Sequence, residues 1–263
     1  MIHIVVSGAA GRMGRALVRL IREADDLELV GALEAPGHRC IGSDAGILAG
    51  AGECGVRIAA DLPKTFDVLV DFSLPEGAVE RLAACAERGT AAVVGTTGFA
   101  DEQRKAIAAA AKHCAIVLSP NMSVGVNVLF HAAADLARTL GPEYDIEIVE
   151  AHHRFKKDAP SGTALKLAEE IARATGRDLA KSAVHGRGPG QPPRREGEIG
   201  IHAVRAGDIV GEHIVYYSGL GERLELKHVA HTRDTFARGA LRAVRWVADR
   251  GPGLYSMADV LGL

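Results

Sequence analysis

The chain has 263 residues, of which 48% are hydrophobic and 24% charged, as in ordinary globular proteins. A formal net charge of −2 excludes a global basic field for nucleic acid or an anionic membrane, and no apolar run approaches the roughly 20 residues of a membrane helix. The four cysteines form no C-x-x-C pair, so the sequence predicts reduced thiols in the cytoplasm and not a zinc cluster. Because basic residues are clustered locally, a small anionic ligand is favoured.

The first half of the chain alternates short apolar strand patterns with helical patterns. The strand patterns cover 2–8, 27–34, 66–73, 89–98 and 114–120. The helical patterns cover 11–24, 75–89 and 101–113. Nearly continuous apolar strands between helices predict a parallel sheet covered on both faces. Right-handed crossovers then give a Rossmann-like, doubly wound α/β domain, which we assign to residues 1–122.

The pattern changes after residue 122. A helix (123–140), a strand (144–153) and a second helix (161–175) precede a loop rich in Gly, Pro and Arg (185–198). Three strand patterns between residues 199 and 231 are separated only by turns, which predicts mixed or antiparallel pairing. We therefore expect a second, α+β domain over 123–232. A C-terminal helix over about 233–263 is expected to pack back on the first domain.

Three glycines separate the first strand from the first helix. Gly8, Gly11 and Gly14 have the spacing G-x-x-G-x-x-G, which lets the backbone approach a pyrophosphate at the helix N-terminus. Glu34 ends the second strand 20 positions after Gly14, close to the offset of a carboxylate that binds the adenosine ribose. A solvated acid at a strand end is the alternative for Glu34. The complete unit predicts a dinucleotide cofactor, NADH or NADPH.

Two later segments lie at the carboxyl ends of predicted strands, the edge of a parallel sheet at which ligands bind. They are VGTTGF (94–99) and SPNMSVG (119–125). The backbone groups of Gly95, Thr96 and Thr97 can face a nicotinamide; an ordinary strand-to-helix turn is the alternative.

The segment EAHHRFKKDAPSGTA (150–164) carries the chemistry. His152 and His153 are adjacent on a strand, so their side chains should point to opposite faces and no zinc pair is expected. One histidine can supply a proton near neutral pH, and a hydrogen-bonded histidine at a sheet edge is the alternative for either.

The same segment ends in Pro-Ser-Gly-Thr at the start of a helix. If Ser161 or a neighbour caps this helix, the N–H groups of Ser161, Gly162 and Thr163 stay open to an anion. A helix N-terminus with a lysine, here Lys156 or Lys157, is a suitable carboxylate receptor. The segment therefore predicts a carboxylate site with a proton donor beside it.

These motifs, together with GSDAG, NMSVGVN and VRAGDIVGEH, resemble the dihydrodipicolinate reductase family nearly end to end. The resemblance implies a homotetramer with a Rossmann domain and a substrate-binding, tetramerising domain. It also implies reduction, by NADH or NADPH, of the cyclic imine diacid derived from 4-hydroxy-tetrahydrodipicolinate to tetrahydrodipicolinate, a step of lysine and diaminopimelate biosynthesis. Closure between the domains should bring cofactor and substrate together.

The resemblance also implies roles for single residues. His152 matches the family's proton donor and acceptor, and Lys156 its second proton donor. Substrate-binding positions are His153, Gly162 and Thr163, to which the capping argument adds Ser161. Cofactor-binding positions are Gly8, Ala9, Ala10, Gly11, Arg12, Met13, Glu34, Gly95, Thr96, Thr97, Ser119, Pro120, Asn121 and Met122.

Two positions depart from the family pattern. Phe155 replaces a histidine of many members, which should affect local packing more than chemistry. Ala35 replaces an arginine that follows the acid in some members, so NADH should work at least as well as NADPH, with Arg12 or Arg39 left to reach a 2′-phosphate.

Two other functions are compatible with the fold. An aspartate-semialdehyde or homoserine-type dehydrogenase keeps the Rossmann domain, but the first of these needs a nucleophilic cysteine in the second domain, and all four cysteines precede residue 122. A nucleotide-binding redox sensor with a protein partner has no need of the histidine-lysine-helix anion site.

Overall fold

The computed structural model describes all residues, 1–263, and divides the chain into two units. The first unit comprises Met1–Val124 and Arg233–Leu263, and the second comprises Gly125–Thr232. The chain therefore leaves the first unit once and returns to it for its C-terminal segment.

A seven-stranded sheet forms the centre of the first unit. Its strands are β1 (Ile2–Ser7), β2 (Leu27–Leu33), β3 (Ile58–Ala59), β4 (Val68–Asp71), β5 (Ala91–Val94), β6 (Ala115–Leu118) and β12 (Gly253–Tyr255). All pairs are parallel, in the order β12-β6-β5-β4-β1-β2-β3. The predicted Rossmann-like parallel sheet is confirmed.

Helices cover both faces of this sheet. They are α1 (Arg12–Arg22), α2 (Ala45–Ala49), α3 (Pro75–Arg88), α4 (Asp101–Ala110), α8 (Asp234–Val247) and α9 (Met257–Leu261). Leu17 of α1 and Val244 of α8 belong to the apolar cluster on one face, and Leu82 of α3 and Ile107 of α4 to the cluster on the other. Because both faces are covered, β4 and β5 are buried along their whole length and have no polar alternation.

The C-terminal segment differs from the single helix expected over 233–263. Helix α8 ends at Val247, and β12 then joins the sheet beside β6, where the Gly253 N–H donates to the Cys114 carbonyl at 3.2 Å. The rings of Trp246 and Tyr255 pack edge to face with centroids 5.0 Å apart. A strand of three residues is too short to show a period of two, so periodicity could not reveal β12.

The second unit is built on a five-stranded mixed sheet. Its strands are β7 (Asp145–His152), β8 (Ala183–His185), β9 (Ile199–Arg205), β10 (Gly211–Ser218) and β11 (Arg223–Ala230), and its helices are α5 (Val124–Leu140), α6 (Gly162–Ala174) and α7 (Leu179–Ser182). The strand order is β11-β10-β7-β9-β8. β8, β9 and β7 run parallel, whereas β10 is antiparallel to both β7 and β11.

Strand alternation decides which β7 side chains face the helices. Ile146 and Ile148 belong to the cluster formed with α5 and α6, and the two-residue period places Glu150 and His152 on the same face. In the sheet register His152 pairs with Arg205 of β9, and Glu150 pairs with His213 of β10. Pairing of the strands thus brings four polar residues together at one end of the sheet.

Candidate active site

Glycines close the turn between β1 and α1. Gly8 has a φ of +75°, and a Cβ there would lie 2.3 Å from the Phe72 carbonyl oxygen. A Cβ on Gly14 would lie 2.2 Å from the Gly8 carbonyl oxygen. No side chain fits at either position without moving backbone, so the outer glycines of the motif are required by the tightness of the turn itself.

The N–H groups of the turn fall into two sets. Gly8 and Ala9 both donate to the Leu33 carbonyl, at 3.0 and 3.1 Å, and so hold the turn against β2. Helix α1 starts at Arg12 behind a glycine, which supplies no side-chain cap. The first-turn N–H groups, beginning with Arg12 and Met13, therefore lack intrahelical acceptors, which is the arrangement that binds a pyrophosphate.

Glu34 braces this loop. Its Oε1 accepts a hydrogen bond from the Ala10 N–H at 2.7 Å. A cleft of about 520 Å³ is lined by the loop, Glu34, Ala35 and His38. A carboxylate beside an uncapped helix N-terminus, at the carboxyl edge of a parallel sheet, fits the ribose and pyrophosphate of a nicotinamide dinucleotide. Arg12 and Arg39 are both exposed, and neither is among the residues that line this cleft.

Thr96 has a structural contact that the sequence did not indicate. Its Oγ1 donates to the buried Asp71 carboxylate at 2.6 Å and accepts from the Ser73 N–H at 2.9 Å. A Cβ on Gly95 would lie 2.2 Å from the Phe72 ring. The side chain of Thr96 is therefore turned inward, while Thr97 is exposed.

The turn 119–122 also uses its side chains internally. Ser119 Oγ donates to the Asn121 carbonyl at 2.8 Å, and Asn121 Oδ1 accepts from the Ser123 N–H at 2.9 Å. Met122 is 1% exposed and lies in the core. Pro120 is exposed and Asn121 half-buried, so these two and the backbone of the turn are the parts within reach of a ligand.

Arg81 is a cleft residue that sequence reasoning missed. Its guanidinium lies 3.9 Å from the wholly buried Asp71 carboxylate, and its own side chain is 12% exposed. A Cβ on Gly77 would lie 2.7 Å from Arg81 Nη1, so the glycine leaves room for the arginine to lie across α3. The sequence signal for Arg81 was Asp71 at the end of β4, because a carboxylate buried in a parallel sheet needs a partner.

His152 is held by a buried carboxylate. Its Nδ1 lies 2.6 Å from Glu150 Oε2, and the histidine and glutamate side chains are 12% and 0% exposed. Glu150 Oε1 also accepts from the Ser161 N–H at 2.9 Å, and Arg205 donates to both carboxylate oxygens at 2.7 Å. Burial opposes the ionisation of Glu150, but the hydrogen bonds from His152, Arg205 and Ser161 outweigh it and lower its pKa to about 2.

A second histidine lies against His152. His213 is 4% exposed, and its ring packs edge to face on the His152 ring with centroids 5.2 Å apart. Its Nε2 lies 3.0 Å from Ser161 Oγ. Burial, reinforced by the nearby His152 charge, lowers the pKa of His213 to about 3, so this imidazole is neutral at physiological pH.

Lys156 lies in the loop after β7 and is paired. Its Nζ is 2.8 Å from Asp158 Oδ2, and the lysine side chain is 22% exposed. This ion pair lowers the pKa of Asp158. Lys157 is exposed and forms no ion pair. The structure thus distinguishes the two lysines, which the sequence did not.

His153 lies just beyond the end of β7 and does not share the His152 contacts. Its ring centroid is 6.3 Å from that of Phe155, which is 78% exposed. His153 Nδ1 is buried without a hydrogen-bond partner. The expected separation of the two histidines agrees with this placement.

The start of α6 differs from the expectation in one respect. Ser161 caps the helix as predicted, because its Oγ accepts from the Ala164 N–H at 3.2 Å. The prediction that the Ser161 N–H is open to an anion is wrong, because Glu150 accepts it and Ser161 is 2% exposed. Gly162, the first helical residue, is exposed, and Thr163 is half-buried.

Glu150, Arg205 and His213 are the site residues that sequence reasoning missed. Glu150 was signalled by its position two residues before His152, which places both on one face of a strand. Arg205 and His213 lie in the motif VRAGDIVGEH, but their contacts depend on strand pairing.

The cysteines do not supply a nucleophile to the second unit. Cys40, Cys54, Cys85 and Cys114 are all unpaired thiols of the first unit. Burial raises the pKa of Cys85 to about 12 and also raises that of Cys114. This arrangement disfavours the aspartate-semialdehyde dehydrogenase chemistry, which requires a reactive thiolate.

No cluster of three or more His, Cys, Asp or Glu side chains has the geometry to hold a metal ion. None of the helices combines the length and apolar character needed to cross a bilayer.

Known proteins resemble both parts of the chain. The family model of the dihydrodipicolinate reductase N-terminus matches residues 2–122, and that of the C-terminus matches residues 125–261. The 4-hydroxy-tetrahydrodipicolinate reductases of Citrifermentans bemidjiense and Geotalea daltonii are 50% and 51% identical, over 100% of each chain.

Solved structures agree. A dipicolinate-bound dihydrodipicolinate reductase from Paenisporosarcina sp. TG-14 has a TM-score of 0.76 and 25% identity, over 98% of each chain. An amine dehydrogenase from Mycobacterium smegmatis shares the fold, with a TM-score of 0.60 at 18% identity over 97% of this chain and 95% of that one. With both halves matched and relatives half identical over their full length, the chain belongs to the dihydrodipicolinate reductase family.

Proposed function

We propose that His152 and Lys156 are the proton-transfer residues, and the N-terminus of α6 the carboxylate site, in the reaction of this family. That reaction is the nicotinamide-dependent reduction of the cyclic imine diacid derived from 4-hydroxy-tetrahydrodipicolinate to tetrahydrodipicolinate, in lysine and diaminopimelate biosynthesis. The observation that carries the proposal is the 2.6 Å contact between His152 Nδ1 and the buried Glu150 carboxylate, in the unit that also contains the start of α6.

The cofactor belongs to the first unit. When bound, the dihydronicotinamide supplies the hydride. The N–H groups at the start of α1 bind the pyrophosphate and Glu34 the adenosine ribose, while Gly95–Thr97 and Ser119–Met122 line the nicotinamide end. The uncapped helix and the 520 Å³ cleft support this assignment.

The proton and the substrate charges are handled in the second unit. Reduction adds a hydride and one proton across a double bond, and the proton comes from His152 or Lys156. Because Lys156 is paired with the 58%-exposed Asp158, a substrate carboxylate can replace Asp158 as its partner. Gly162 and Thr163 bind the same carboxylate through N–H groups at the helix start, and His153 contacts the ring. Fixed donors of this kind stabilise charge that develops in the transition state.

Cofactor choice follows from the residues around Glu34. We propose that NADH serves at least as well as NADPH, because Ala35 offers no guanidinium to a 2′-phosphate and Glu34 repels it. NADPH is accepted through the exposed Arg12.

We also propose a cytoplasmic homotetramer. The four unpaired cysteines suit a reducing compartment. On the sheet face opposite α5 and α6, Val149, Val204 and Ile214 form a partly exposed apolar strip, with Val204 43% exposed, which a second subunit can cover. Light scattering coupled to size exclusion should give a mass four times the 27.6 kDa chain.

The test of the reaction is a coupled assay. Aspartate semialdehyde and pyruvate are supplied with the synthase that condenses them, and nicotinamide absorbance is followed. Absorbance should fall only when every component is present. Oxidation of the cofactor without the synthase would identify a different substrate.

A further inference from the structure

Glu150 is a carboxylate with no exposure and a full set of donors. His152 and one Arg205 nitrogen contact Oε2, at 2.6 and 2.7 Å. The Ser161 N–H and the other Arg205 nitrogen contact Oε1, at 2.9 and 2.7 Å. These four charge-assisted or backbone hydrogen bonds hold the carboxylate in a single orientation.

Arg205 links this carboxylate to the loop that carries Lys156. Its Nη2 also donates to the Asp158 carbonyl at 2.6 Å, and the Asp158 carboxylate is 2.8 Å from Lys156 Nζ. One guanidinium therefore contacts the group behind His152 and the residue paired with Lys156. A buried ion pair is weak evidence for stability, because apolar residues of similar volume often replace it without loss. The contacts of Arg205 are therefore better explained by the positioning of Glu150 and of the Lys156 loop than by stability.

The geometry also decides which His152 nitrogen exchanges a proton. A carboxylate accepts only, so Nδ1 carries the hydrogen that lies between it and Glu150. Nε2 is left as the exchanging nitrogen. A Cβ on Gly211 would lie 3.1 Å from Nε2, so a glycine at that position keeps the nitrogen clear.

We propose that Glu150 and Arg205 are positioning residues for proton transfer, with Glu150 fixing the His152 ring so that Nε2 exchanges the proton and Arg205 fixing both Glu150 and the Lys156 loop. This inference rests on the proposed role of His152 in the reaction.

The test is Glu150→Gln with kinetic and spectroscopic measurements. We expect kcat to fall by about 10²-fold, because a neutral amide no longer orients the ring. Cofactor Kd, measured by nicotinamide fluorescence, should stay within twofold, because the cofactor residues lie in the first unit. In ¹⁵N-histidine spectra, the His152 signal should show hydrogen on Nδ1 in the wild type and on a mixture of nitrogens in the variant. His152→Gln assigns the signal by its loss.

Glu147→Gln is the matched control. Glu147 lies on the same strand but the opposite face, with His202 Nε2 at 2.6 Å and Arg187 and Arg194 at 3.0 and 3.1 Å. It should lower the unfolding temperature while keeping kcat within threefold. An equal loss of kcat in both variants would overturn the proposal, because the removal of any carboxylate from this sheet would then lower kcat as much as the removal of Glu150.

Arg205→Lys serves if Glu150→Gln does not fold. It keeps the charge but loses the two-point contact, and kcat should fall at least tenfold with unchanged cofactor Kd. A folded variant with native kcat would overturn the role of Arg205, and an unchanged Nδ1 hydrogen in Glu150→Gln would overturn that of Glu150. Native activity of His152→Gln would instead contradict the proposed role of His152 in the reaction, on which the roles of Glu150 and Arg205 both rest.

Discussion

Glu34→Gln should raise the preference for NADPH over NADH about tenfold. The glutamine keeps a carbonyl oxygen for the Ala10 N–H, which Glu34 accepts at 2.7 Å, so the glycine loop should remain in place. Only the charge is removed. Two unit charges about 5 Å apart in water repel by roughly 0.8 kcal/mol. A 2′-phosphate carries nearly two charges. The expected gain, about 1.4 kcal/mol, corresponds to a tenfold change.

The assay is kcat/KM for each cofactor at saturating diacid, and the ratio of the two values is the quantity compared. Glu80→Gln is the control, because Glu80 lines the same cleft from α3. We expect it to change the ratio by less than about threefold, since Glu34 and not Glu80 accepts the Ala10 N–H. A ratio that stays within twofold for Glu34→Gln would refute the placement of the ribose at Glu34. Equal effects from both variants would indicate a diffuse negative field.

Three further predictions concern proton transfer and stability. His152→Gln should lower kcat by about 10²–10⁴-fold while cofactor Kd is unchanged, and near-native kcat would exclude His152 from the reaction. Lys156→Ala should lower kcat/KM by orders of magnitude, and by more than Lys157→Ala, because only Lys156 is held in an ion pair; equal effects would mean a diffuse basic patch. Backbone N–H groups of Ile47, Cys54 and Gly55 lower the pKa of Asp44 to about 2, so Asp44→Asn should lower the unfolding temperature at pH 7. Since the ionised form is the stabilising one, this difference should shrink as pH falls from about 4 towards 2, and a pH-independent difference would contradict it.

Local patterns were sufficient for most of the first unit, though not for β12, and for the central segment of the second. The apolar strands, the glycine turn and Glu34 follow one another in the chain, and the helix cap at Ser161 is signalled by its neighbours. The two-residue period also separated His152 from His153. Such features depend on residues near one another in sequence, which is why they could be predicted.

Contacts across the sheet could not be predicted in the same way. Arg205 and His213 reach the site only because β9 and β10 pair with β7 in one register, and a shift of one residue would turn each side chain to the other face. The same limit explains the error at the Ser161 N–H, whose acceptor, Glu150, comes from a strand that ends ten residues before α6 begins. Ion-pair partners such as Asp158 cannot be predicted without the path of the loop that carries them, and a loop has no periodicity from which its path could be inferred.

The return of the chain to the first unit has a consequence for synthesis on the ribosome. Residues 125–232 form a contiguous unit, whereas the first unit needs residues 233–263 for α8 and for β12, which covers the edge of β6. The N-terminal segment of the first unit therefore leaves the exit tunnel early, but it cannot complete its fold until the last residues have been synthesised. Until then, the β6 edge and the apolar face that packs against α8 stay exposed. A chain that lacks about thirty C-terminal residues contains the whole second unit but an incomplete first unit, the reverse of the usual N-terminal-first order.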